Sequence, residues 1–190
     1  MKKAIRTGMA LCASSLLFST VYGATINVPS DQSTIQDAIN AAIAGDTILI
    51  DTGSYSTANE VLTINKDIII QASTAGGVTV TGGALDDAIT IGGSATDVTL
   101  NGLAVSGTAF DGIQIDTGLT LTIVDCTIDG NGTAGARQGS GIVLGDIGTE
   151  TLTLDITDTT ISNNSDRGLT LDNPGIVNFT ANNMTVSDNT

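Results

Sequence analysis

Apolar and polar residues alternate in short runs along most of this chain, and the runs return in a fixed order. Gly112-Ile113-Gln114-Ile115, Gly141-Ile142-Val143-Leu144 and Gly168-Leu169-Thr170-Leu171 each open a segment. The segments close on Cys126-Thr127-Ile128-Asp129, Thr159-Thr160-Ile161-Ser162 and Met184-Thr185-Val186-Ser187. A weaker copy runs from Ala88-Ile89-Thr90-Ile91 to Leu103-Ala104-Val105-Ser106. The opening positions Ile89, Ile113, Ile142 and Leu169 step by 24, 29 and 27 residues, and the closing positions Val105, Ile128, Ile161 and Val186 by 23, 33 and 25. Self-similarity at such a period marks a repeat architecture. Each repeat reads as three short strands, for example Ile113–Ile115, Thr120–Ile123 and Cys126–Ile128. With almost no two-residue Asn-Gly hairpin signals, this pattern predicts a coil that winds onward in parallel rather than a meander.

Alignment of the closing strands sorts their faces. Cys126, Thr159 and Met184 form one inward column and Ile128, Ile161 and Val186 another, while Thr127, Thr160 and Thr185 point outward between them. Asn131, Asn164 and Asn189 follow as a third column. Side-chain amides stacked ~4.8 Å apart can hydrogen-bond up such a column. On another face Thr99, Thr122, Asp155 and Thr180 share a column, and Thr-X-Thr pairs occur at Thr79/Thr81, Thr120/Thr122 and Thr151/Thr153. A regular polar β-face of this kind can bind glycans or order water against ice.

Towards the N-terminus the period changes. Ile35, Ala38, Ile39, Ala42 and Ile43 make an apolar stripe at helical spacing. Ser33 fits as N-cap with Gln36 reaching back in a capping box, and Gly45 supplies the stop. This helix is expected to cap the hydrophobic bore of the strand stack. Further strands are expected at Thr47–Ile50, Glu60–Ile64, Asp67–Ile70, Val78–Thr81, Ile89–Ile91 and Val98–Leu100.

Composition narrows the setting. Lys2, Lys3 and Arg6 precede an apolar stretch from Met9 to Val21, and small groups follow at Gly23, so residues 1–23 read as a secretory signal peptide. Residues 24–190 then carry all 20 acidic residues but only Lys66, Arg137 and Arg167, a net charge of −17. Nucleic acid and anionic membranes are therefore poor partners and no nucleic acid is expected, because both demand a cationic surface. Only Cys126 remains after the leader, so no intrachain disulfide forms, and no later stretch is apolar enough for a membrane span. The mature chain is expected to be secreted or displayed at the cell surface.

The stretch Ile26-Asn27-Val28-Pro29, Thr34-Ile35-Gln36-Asp37-Ala38-Ile39, Gly45-Asp46-Thr47-Ile48 and Gly53-Ser54-Tyr55 resembles the opening segment of pectin-lyase-like right-handed parallel β-helix proteins. The Gly-Ile…Thr-Ile-Ser-Asn-Asn repeats resemble the coils of the same superfamily. The resemblance covers almost all of residues 24–190. It implies an all-β fold, a right-handed single-stranded parallel β-helix with an N-terminal capping helix. The repeat is cut at Asn189-Thr190, which leads us to expect a solenoid incomplete at its C-terminal end.

The superfamily spans lyases, hydrolases, esterases, adhesins and surface-layer proteins, so function depends on site residues. Polygalacturonase-like enzymes carry Gly-His-Gly and Arg-Ile-Lys segments, and this chain has no histidine and no Arg-Ile-Lys. Nothing matches the Asp-Phe-Ile-Phe-Gly strand of pectin-methylesterase-like sites. Pectate-lyase-like chemistry would need carboxylates that hold Ca²⁺ and a basic residue that takes the proton alpha to the uronate. Asp125 and Asp158 occupy one outward column of adjacent coils and are the candidate Ca²⁺ ligands; at ~5 Å they also approach a retaining-glycosidase pair. Arg137, in the long stretch Asn131–Ser140, and Arg167 precede successive Gly-Ile/Leu strands and are the candidate basic groups. The sequence favours a non-catalytic extracellular or cell-surface module of adhesin or passenger type, with polysaccharide or cell-surface glycan as partner. A polysaccharide lyase is the alternative and an ice-binding protein the minor one.

Overall fold

The computed structural model describes residues 23–56, 61–83, 86–133, 139–172 and 175–190. The expected export leader, apart from Gly23, and Arg137 lie outside them. The described chain opens with β1 (Thr25–Val28) and α1 (Ile35–Ala41), then winds as a solenoid. Successive coils are β2 (Thr47–Ile50), β3 (Gly53–Ser56) and β4 (Leu62–Ile64); β5 (Ile68–Ala72), β6 (Val78–Thr81) and β7 (Ile89–Ile91); β8 (Asp97–Asn101), β9 (Leu103–Ser106) and β10 (Ile113–Ile115). There follow β11 (Thr120–Val124), β12 (Thr127–Asp129) and β13 (Ile142–Leu144); β14 (Thr151–Thr157), β15 (Thr160–Ser162) and β16 (Leu169–Leu171); and finally β17 (Ile176–Asn182) and β18 (Thr185–Ser187).

Strands at equivalent places pair in parallel, which makes three sheets. Sheet A runs β1-β2-β5-β8-β11-β14-β17, sheet B runs β3-β6-β9-β12-β15-β18, and sheet C runs β4-β7-β10-β13-β16. The pairing places Ile89, Ile113, Ile142 and Leu169 in one register column, and Val105, Ile128, Ile161 and Val186 in another. Both are the columns expected from the repeat. Sheet A adds the stack Ile48, Ile70, Leu100, Ile123 and Ile156, each essentially inaccessible. Alternation along each strand thus fills the bore with aliphatic side chains and leaves Thr, Ser, Asp and Asn outside. At the last described coil the inward Leu171, Phe179 and Val186 are 45%, 46% and 48% exposed, since no further described coil lies over them.

Helix α1 lies across the other end, against β1, β2 and β4, and buries Ile35, Ala38 and Ile39. Its start differs from the capping box expected at Ser33. Thr34 is the N-cap and its hydroxyl accepts from the Asp37 amide at 3.0 Å. Gln36 has another task. Its Oε1 accepts from Thr63 N at 2.9 Å and its Nε2 lies 3.4 Å from Thr63 O, so one amide side chain occupies the open edge of sheet C at β4. The helix also stops earlier than Gly45, leaving Ile43 61% exposed, and Lys66 Nζ donates to the terminal carbonyls of Asn40 and Ala42.

Candidate functional site

In four successive coils the corner between sheets A and B turns on one residue in the left-handed region. Gly102, Asp125, Asp158 and Asn183 hold it in successive coils, with φ of 72°, 52°, 49° and 52°. Gly, Asn and Asp are the residues that tolerate this conformation. Asp125 and Asp158 therefore do share an outward column, and the backbone alone gives a reason for their type. Asn183 Nδ2 donates to Asp158 Oδ1 at 2.6 Å. Among the described residues no group of three or more His, Cys, Asp or Glu is placed to hold a metal ion, so Ca²⁺ at Asp125 and Asp158 would have to draw its remaining ligands from carbonyls, amides and water.

Arg167 falls in a column that the sequence did not single out. Asp87, Asp111, Ser140 and Arg167 each stand two residues before the paired positions Ile89, Ile113, Ile142 and Leu169 at the mouth of sheet C. Asp87 Oδ1 accepts from Asp111 N at 3.0 Å, and Asp111 Oδ1 accepts from Ser140 N at 2.6 Å. Burial pushes the Asp87 carboxyl up to about 6 against the hydrogen bond from Asp111 N, and the charges of Asp111, Asp86 and Asp116 push it the same way. Asp111 is raised as well, chiefly by burial, with Asp166 and Asp172 adding to it. The Arg167 side chain is 66% exposed and, among the described residues, pairs with Asp166 at 3.4 Å, beside an open cleft of about 330 Å³ that Val186 and Asp188 also line. The signal for this acidic mouth was the residue before each Gly/Ala-Ile opening, which the apolar alignment passed over.

The outward face of sheet A is different in kind. Its register gives three columns across four strands: Asp97, Thr120, Thr153 and Asn178; Thr99, Thr122, Asp155 and Thr180; Asn101, Val124, Thr157 and Asn182. Strand spacing makes this a grid of ~4.8 Å across strands and ~6.7 Å along them. Among the described residues the side chains of Thr99, Thr120, Thr122, Thr153, Asp155 and Thr180 make no hydrogen bond to protein groups. Elsewhere such groups bond to each other. Asp129 Oδ1 accepts from Ser162 Oγ and Asn163 Nδ2 at 2.7 Å each on the flank of sheet B. On sheet C, Ser140 Oγ meets Thr170 Oγ1 at 2.9 Å and Gln114 Nε2 donates to Asp116 at 2.7 Å. Among the described residues sheet B also offers an unbonded column, Thr127, Thr160 and Thr185, beside the engaged flank of Asp129 and Ser162.

No family model matches the chain, and no curated protein matches it in sequence. Solved structures do match. A PL6 family alginate lyase, AlyGC, superposes with a TM-score of 0.56 at 16% identity, over 86% of this chain and 29% of the enzyme. An arginine-to-alanine mutant of that enzyme gives 0.53 at 17% identity, over 77% and 25%. The fold is a parallel β-helix. This β-helix spans less than a third of the length of the alginate lyase it matches. At such identity the likeness concerns the winding of the backbone.

Proposed function

We propose that the protein is an exported, non-catalytic β-helix module of adhesin or passenger type that contacts carbohydrate. The observation that carries this reading is the wide grid of unbonded hydroxyl and carboxylate groups on sheet A, set on a rigid stack of coils. Sheet B leaves a single narrow column of this kind free among the described residues, whereas on sheet A the free groups spread over two adjacent columns. Export rests on the leader-like residues 1–23 and on the strong acidity of the rest. A glycan array probed with the labelled chain tests the reading. Saturable binding without loss of the glycan is expected, and no binding to any glycan overturns it.

A second reading, a polysaccharide lyase, is favoured by the acidic mouth of sheet C with Arg167 beside it and by the fold shared with an alginate lyase. Absorbance of the unsaturated uronate product distinguishes the two, with alginate and polygalacturonate as substrates and Ca²⁺ present or chelated. The non-catalytic reading expects a flat trace. Product formation that disappears in Asp125→Ala or Arg167→Ala establishes the lyase instead.

A further inference from the structure

We infer that the outward face of sheet A is a track for an uncharged, extended polysaccharide lying along the solenoid axis, about one sugar per coil. This rests on the carbohydrate-contacting reading above and adds the face, the direction and the ligand class.

The direction follows from spacing. Successive strands repeat at ~4.8 Å, which is comparable to the rise of one ring in an extended hexopyranose chain. A polymer along the axis therefore meets the same column at each step: Thr99, Thr122, Asp155 and Thr180 under its centre. Asp97, Thr120, Thr153 and Asn178 stand on one side, within reach of ring hydroxyls. A polymer laid across the axis would run off a face that is only three or four outward positions wide.

Access follows from the turns. On these four coils sheet A passes to sheet B through one or two residues, at Gly102, Asp125-Cys126, Asp158-Thr159 and Asn183-Met184, so no loop overhangs that border. The long connections, such as that from Asp129 to Ile142, run between sheets B and C instead. Beside the longest of these connections the outward positions on sheet C are closed in, with Val143 8% and Thr170 9% exposed, while Thr63, Thr90 and Gln114 on the earlier strands are more open.

The ligand class follows from charge. The grid carries Asp97 and Asp155 but no Lys or Arg, and the chain's net charge is −14. A polyuronate would lose affinity by repulsion, whereas an uncharged chain brings hydroxyls that both donate to Asp155 and accept from threonine. No aromatic side chain stands on these strands' outer face to stack against a ring. Each coil therefore contributes modestly through hydrogen bonds, and affinity accumulates along the polymer.

The experiment measures retention of the chain on insoluble unsubstituted β-1,4-glucan and β-1,4-mannan, and on alginate and polygalacturonate beads, with a chelator present. Variants are Thr122→Val/Thr153→Val on sheet A and Thr127→Val on sheet B. Valine keeps the shape and strand preference of threonine, and far-ultraviolet circular dichroism checks the fold. Two hydroxyls at ~1 kcal/mol each predict roughly tenfold or greater weakening for the sheet A variant, and less than twofold for the sheet B one. Tighter retention on the polyuronates overturns the ligand class. Glycan binding untouched in the sheet A variant, or lost instead in Arg167→Ala, overturns the face while leaving the carbohydrate reading in place. No retention on any glycan overturns both, and thermal hysteresis lost in the sheet A variant would then assign the face to ice.

Discussion

Asp87 is a carboxylate held in an acidic column, half-buried, with one hydrogen bond from Asp111 N to offset its desolvation. Its folded value of about 6 lies above that of an unfolded aspartate, so folding takes up a proton as the pH falls. The penalty is full above pH ~6, is relieved between about 6 and 4, and is absent below, where both states are protonated. The group is half open to solvent, so ~1 kcal/mol is the scale after screening, well under what the shift alone implies. Asp67 shifts the other way, lowered first by the Thr96 amide, and its contribution is lost only as the pH drops below about 4. Thermal melts should therefore show the midpoint rising from pH 7.5 to about 4.5. Asp87→Asn should be more stable than the parent at pH 7.5 and flatten that rise; an unchanged slope contradicts the assignment. Asp125 and Asp158 carry a different expectation, because their φ is positive. Asp125→Gly should leave the melt nearly unchanged, whereas Asp125→Val should cost about 1–2 kcal/mol from forcing a β-branched residue into the left-handed region. Equal effects of the two substitutions would show that the carboxylate, not the corner, matters.

One element-level dependency explains the repeated Gly-Ile opening. The amide ladder runs Asn131 Nδ2 to Asn164 Oδ1 at 2.9 Å and Asn164 Nδ2 to Asn189 Oδ1 at 2.8 Å. Each Oδ1 also accepts the backbone N–H of the preceding asparagine, at 3.1 Å. Asn131 and Asn164 are both 1% exposed, and the ladder satisfies amides that would otherwise be costly inside. A Cβ on Gly141 would lie 2.9 Å from Asn164 Nδ2, 2.8 Å from Gly168 O and 2.5 Å from Ile161 Cγ2. Gly112 and Gly168 face Asn131 and Asn189 in the same way. In the weaker first copy the ladder position is Thr108, and there Ala88 replaces glycine. Gly141→Ala should accordingly cost about 1–3 kcal/mol by overpacking, read from chemical denaturation. A neutral result would mean that the coils can slide apart to admit a methyl group. The ladder and both inward columns were legible in the sequence because equal residues recur at equal places in each repeat. The glycine requirement was not, since it depends on contact between one coil's opening and the next coil's asparagine. Nor were Asp87 and Asp111, because in the next two coils the same position is Ser140 and Arg167, and no residue type repeats. The cap at Thr34 was missed by one residue because Gln36, expected to reach back to the helix, bonds across to β4 instead.

A solenoid of this kind has no distant contacts to average its stability, since each coil touches only its neighbours. The molecule is therefore a gradient. In the middle, β7 to β13 are covered on both sides, and Ile89, Ile113, Leu121 and Ile142 are essentially inaccessible. At one end α1 closes the bore over Ile48 and Ile64, with Gln36 blocking the strand edge. At the other described end Phe179, Val186 and Leu171 stand half exposed although their register points them inward. Nearest-neighbour stacking turns that asymmetry into an order of opening: coils lacking a covering neighbour open at low free energy, and buried ones open only with the whole stack. Amide hydrogen exchange on the 190-residue chain should therefore show protection highest in β8, β11 and β10 and lowest in β16, β17 and β18. The helix end should hold its protection better than the β17–β18 end. Thr34→Ala, which removes the helix cap at a cost of about 1 kcal/mol, should speed exchange in β2 and β4 without reaching β14. Uniform exchange rates along the chain would mean that the coils unfold as one cooperative block, and the nearest-neighbour account would then be wrong for this molecule.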